Sequence, residues 1–116
     1  MKNAAAIRKR YLSDPLPIRL GGVAANLARI SSFSKHPANR QVVHSMLTES
    51  KYFIEWTAAE AEIGVAAELV ELQVQMACWQ WDWRKIWADP LQRNEVARKA
   101  RIWSDRVLEI SGLNET

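Results

Sequence analysis

Six tryptophans stand in a chain of 116 residues, and four of them, Trp79, Trp81, Trp83 and Trp87, fall close together. Trp79, Trp83 and Trp87 step by four and share one face of a helix, while Trp81 points the other way. Such a stripe can stack nucleic-acid bases or line an inter-helix pocket for an apolar ligand or pigment. Base stacking on a polyanion needs cations interleaved with the rings, and only Arg84 and Lys85 stand there. The stripe runs in phase with Leu72 and Met76, so core packing is the simpler expectation.

Side chains that do acid–base, nucleophilic or metal chemistry are scattered. His36 sits in a turn beside Pro37, and His44 has no second histidine or glutamate at ligand spacing, which leaves zincin and di-iron patterns without support. The single cysteine, Cys78, excludes an internal disulfide framework and is expected as a packed thiol rather than a nucleophile. Glu60 and Glu62 fall where a helix begins, a place the helix dipole favours for acids. Glu68 and Glu71 lie on a polar strip with no proton-transfer partner. Neither a P-loop nor a dinucleotide-binding glycine pattern occurs. No catalytic residue, metal ligand or cofactor is assigned, and the chain is read as a non-enzymatic protein.

Anion binding is the other chemistry to weigh. Arg8, Lys9, Arg10, Arg19, Arg29, Lys35 and Arg40 are the candidate contacts, since the first 51 residues carry nine bases and two acids. Residues 52–83 carry six acids and no base, and residues 84–116 carry seven bases and five acids, so the formal charge of +3 is a remainder. A basic first half could meet nucleic acid. The preferred expectation is that it meets the acidic segment of its own fold or of a second copy, because the overall charge is small and no basic run exceeds three residues.

The elements that must position these residues are helices. Hydrophobic residues make up 48% of the chain and charged residues 25%, enough to bury a core. Four glycines and four prolines cannot supply the turns of a sandwich or barrel. The longest uncharged run, from Leu72 to Trp81, is far too short to span a bilayer. The apolar stretch Ala4–Ile7 is too short for a secretory signal. A cytoplasmic protein with no membrane segment is expected.

A basic N-terminal segment over 1–14, loose or a short helix, precedes a single helical domain over 15–116. Pro17 opens a helix to about Ser32, and a second runs from about Ala38 to Glu55. Thr57-Ala58-Ala59-Glu60 reads as a capping box for a long third helix from Ala58 to about Ala88. Asp89-Pro90-Leu91-Gln92 reads as a second box, opening a last helix that ends at Gly112. The fold class expected is all-α, an up-down bundle of about four helices. Adjacent Gly21 and Gly22 are expected to serve close packing, because each costs about 1 kcal/mol in a helix.

The third helix carries two apolar seams. Val65, Leu69, Leu72, Met76, Trp79, Trp83 and Ile86 form one; Ile63, Ala67, Val70, Val74, Ala77 and Trp81 form the other. Both alternate steps of four and three, the spacing of helices packed at a shallow angle. They lie roughly 160° apart at about 100° per residue. A surface helix needs one apolar stripe, so this one must be covered on two sides. A helix over 58–88 spans about 46 Å, and three helices of about 24–33 Å cannot cover both sides of it. The second seam is therefore expected to meet its twofold mate in an antiparallel homodimer. The alternative is a monomer whose other helices wrap the third completely.

The segments Arg19–Ile30 (RLGGVAANLARI), Glu49–Thr57 (ESKYFIEWT) and Ala66–Gln73 (AAELVELQ) resemble small all-helical cyanobacterial proteins of unassigned function. The likeness extends over residues 15–110 and implies a cytoplasmic helical bundle, with no active residues to transfer. The leading functional expectation is a self-associating bundle that serves as a protein-interaction or regulatory module.

Overall fold

Proline placement sets three helix starts in the computed structural model, which describes residues 3–113. Pro15 caps α2 (Leu16–Phe33) with Pro17 inside its first turn, Pro37 opens a short 3-10 turn, and Pro90 is the first residue of α6 (Pro90–Ser111). Between them lie α3 (Arg40–Ala58), α4 (Ile63–Trp81) and α5 (Trp83–Ala88), and α1 (Ala4–Leu12) comes first. The described residues contain these six helices and no strand. The first two residues of the basic 1–14 segment lie outside the described residues; the rest of it is mostly helix.

The caps of α6 are largely as the sequence predicts. Asp89 accepts the amide of Leu91 at 2.9 Å, and Gly112 ends the helix at φ 75°, a left-handed conformation that a side chain would strain. Gln92 differs: its amide donates to the Asp89 carboxylate rather than accepting from the backbone.

The expected helix over 58–88 is corrected at both ends. Thr57 caps nothing; it lies inside α3 with its hydroxyl 2.8 Å from that of Tyr11. The chain turns at residues 59–62, beyond the break anticipated near Trp56. The reason lies in how α3 and α4 pair. Gln73 donates to the Lys51 carbonyl at 3.0 Å, and Gln80 to the His44 carbonyl at 3.2 Å and the Thr48 hydroxyl at 2.9 Å. Seven residues apart on each helix, these bonds fix an antiparallel register whose reversal point is residue 62. A break at Trp56 would shift it out of phase.

The second correction is at Asp82, where φ −100° and ψ 22° leave the helical region. No proline or glycine marks the place. The bend lets the Trp87 indole donate to the Pro37 carbonyl at 2.7 Å, and α5 then packs on α6, where Arg93 donates to the Trp87 carbonyl at 2.7 Å.

Helices α2 and α6 form the most extensive pair in the fold. Ser31 donates to the Ala97 carbonyl and Ser104 to the Ala24 carbonyl, both at 2.7 Å, again with seven-residue spacing on each helix and in antiparallel register. Short side chains at these positions let the two backbones approach. Gly21 and Gly22 contribute less than expected: a Cβ at Gly21 would meet the tip of Leu113, and one at Gly22 would find its nearest neighbour, the Tyr11 ring, at 3.9 Å. Gly22→Ala is therefore expected to stabilise the fold by about 0.5–1 kcal/mol, measured by urea unfolding.

The core runs through all four longer helices and α5. Leu27, Ile30, Val43, Leu47, Ile54, Leu69, Leu72 and Met76 are fully buried. Helix α1 is fastened to α3 by Tyr11, whose ring stacks on Phe53 at 4.2 Å and whose hydroxyl donates to the Arg19 carbonyl at 3.0 Å. Burial pushes the Tyr11 phenol up to about 12, against smaller opposing effects of the Thr57 hydrogen bond and Arg19. The folded state thus holds this proton more tightly than the unfolded chain. Its stabilisation is complete below pH 10 and is lost as pH rises from 10 toward 12. Tyr11→Phe is expected to flatten that part of a thermal-stability profile against pH.

Candidate functional site

Helix α4 places its two seams on opposite sides. Leu69, Leu72, Met76 and Trp79 are buried and Val65 is half-buried, with Trp83 and Ile86 continuing the inner seam on α5. On the outer side every position is exposed: Ile63 at 88%, Val70 at 47%, Val74 at 57% and Trp81 at 90%, with Ala67 and Ala77 between them. Trp56 and Trp103 are half-buried and the other three tryptophans are buried, so Trp81 alone of the six faces water.

Polar residues between the seams hold this orientation. On one flank Gln73 and Gln80 clasp α3. On the other, Glu68 takes a forked pair of hydrogen bonds from Arg106 of α6, at 2.8 and 2.9 Å. The Arg106 hydrogen bonds hold the Glu68 carboxyl below the usual carboxylate range. Clasped on both flanks, α4 cannot roll to hide its outer seam. Tyr52, also exposed, extends the apolar surface toward α3 beside Val74 and Ala77. A contiguous exposed apolar face of this kind is characteristic of an interaction surface.

The candidate anion contacts do not converge. Arg19 is buried; its guanidinium donates to the Asp14 carbonyl at 3.0 Å and pairs with Glu60 at 2.7 Å, which removes it from any surface patch. Arg29 donates to Asn26 of its own helix. Arg8, Lys9 and Arg10 are exposed near the start of α2, whereas Lys35 and Arg40 are exposed beyond its end. The 18 residues of α2, about 27 Å of helix, run between the points where the two groups join it.

The tryptophan stripe is core. Trp83 and Trp87 lie 5.0 Å apart between ring centroids, and Trp79 is buried with them. Trp83 borders a cavity of about 480 Å³, but its other walls are Arg40, Gln41, His44 and Ser45, a polar set unsuited to an apolar ligand or pigment. Cys78 is exposed rather than packed. No cluster of three potential metal ligands occurs among the described residues, and none of their helices is long and apolar enough to cross a membrane.

Comparison with protein-family models, with curated proteins and with solved structures finds no match for this chain.

Proposed function

We propose that this protein is a non-enzymatic interaction module, an up-down bundle of its four longer helices that self-associates through the outer seam of α4. One observation carries the reading: Ile63, Ala67, Val70, Val74, Ala77 and Trp81 are exposed in an unbroken stripe on a helix whose opposite face packs into the core. Selection for solubility alone would place polar side chains there. Nucleic-acid binding is the weaker reading, because its seven cations are split between the two ends of α2 and Arg19 is spent inside the fold.

Sedimentation equilibrium of the purified chain tests the proposal. The expected result is a mass that rises with concentration from 13.3 kDa toward twice that value. One helix face makes an interface at the small end of the stable range, so the midpoint should fall at about micromolar concentrations. A monomer mass at every concentration would refute self-association.

A further inference from the structure

The outer seam of α4 is palindromic. Its steps run four, three, four, three, four, and its side chains run large, small, medium, medium, small, large: Ile63, Ala67, Val70, Val74, Ala77, Trp81. Any surface that binds a copy of itself across a twofold axis must be complementary to itself after reversal. This stripe is so in both spacing and volume. Taking self-association through α4 as its premise, we infer that two copies pair with their α4 helices antiparallel, in the one register that centres the twofold on Leu72.

In that register Val70 of each copy lies opposite Val74 of the other, Ala67 opposite Ala77, and Ile63 opposite Trp81. The two alanine layers let the backbones come close on either side of the valine centre. At each end the exposed indole of Trp81 covers the exposed Ile63. Reversal agrees with the charges as well. Glu62 stands at the start of α4, and the exposed Arg84 and Lys85 follow its end just past Asp82. Antiparallel pairing in this register sets Glu62 of each copy level with the exposed Asp82 of the other, with Arg84 and Lys85 just beyond to offset the two acids, and it opposes the helix dipoles. Glu71 is the one acid that approaches its own mate near the axis, and Lys99 of α6 lines the same cleft to offset it.

Disulfide trapping reads the register directly. In the full-length chain with the exposed Cys78→Ser change, Ala67→Cys and Ala77→Cys are introduced singly and together. Each position is exposed, so the core is untouched. Within one chain the two positions are about 15 Å apart, and a disulfide needs Cα atoms within about 7 Å. Oxidation of the double variant is expected to shift its mass on a non-reducing gel to twice 13.3 kDa, and each single variant should stay monomeric. Efficient trapping of a single variant, or no trapping of the double variant while sedimentation still shows a dimer, would overturn this register and leave self-association standing. A double variant that neither traps nor dimerises, together with a monomeric parent chain, would overturn both and leave the stripe to a different protein.

Discussion

A chain carrying Val70→Glu and Val74→Glu together is expected to sediment as a 13.3 kDa monomer at concentrations where the parent dimerises, with helical content and melting behaviour close to the parent's. Both valines face water in the isolated chain, so a carboxylate at either position costs the monomer little. In the dimer the two positions lie at the twofold, and the pair of changes would bring four carboxylates into one apolar seam. Burying unpaired charge costs several kcal/mol, and like charges in contact add to it. Weakening by at least about 100-fold follows, equal to about 2.7 kcal/mol of association free energy. Glutamate suits an exposed helical position, which keeps loss of dimer separate from loss of fold. Unchanged association of a well-folded variant would place the contact elsewhere on the molecule.

The second large effect separates the two faces of the same helix. Leu72→Ala is expected to destabilise the chain by about 2–5 kcal/mol, because Leu72 is fully buried and its truncation leaves a cavity that the packed neighbours cannot fill. Val70→Ala, two residues away on the outer face, should change monomer stability by less than about 0.5 kcal/mol. Against a total of about 5–15 kcal/mol, the first loss is a large fraction and the second is near the limit of detection. Urea unfolding of dilute protein measures both. Similar losses for the two variants would mean that the outer face of α4 is packed within the monomer.

Much of this contrast was legible in the residues. The four-three alternation of Val65 through Ile86 and of Ile63 through Trp81 locates two faces, and the proline and glycine positions locate the ends of α2 and α6. The expected reason for an exposed second seam was wrong, however. It assumed a helix over 58–88 too long to cover, whereas α4 has 19 residues. The outer face is bare because α3 and α6 clasp the flanks of α4 through Gln73, Gln80 and Glu68, and no element among the described residues covers it. Those clasps are hard to read in advance, since a glutamine bonded to a carbonyl on another helix has the same local sequence context as one facing water. The bend at Asp82 was equally hidden. It accompanies the Trp87 bond to Pro37, fifty residues away, and no helix breaker of its own marks it.

Arg19, one of the candidate anion contacts, has a role hidden from the sequence for a related reason. Composition counts Arg19 with the surface cations, but burial and the ion pair with Glu60, forty-one residues on, make it a strut that ties the start of α2 to the turn after α3. Thr57 is a like case: a hydroxyl at capping spacing serves instead as a tertiary partner of Tyr11. In each case a polar side chain had a local role available and took a distant one, which single-chain spacing does not encode.

Methyl spectra recorded over a dilution series test most directly that the outer seam of α4 is the association surface. The methyl signals of Ile63, Ala67, Val70, Val74 and Ala77 should move together with concentration, while those of the inward Leu69 and Leu72 stay fixed. Signals that do not change with concentration, or changes confined to α2 and α6, would contradict it.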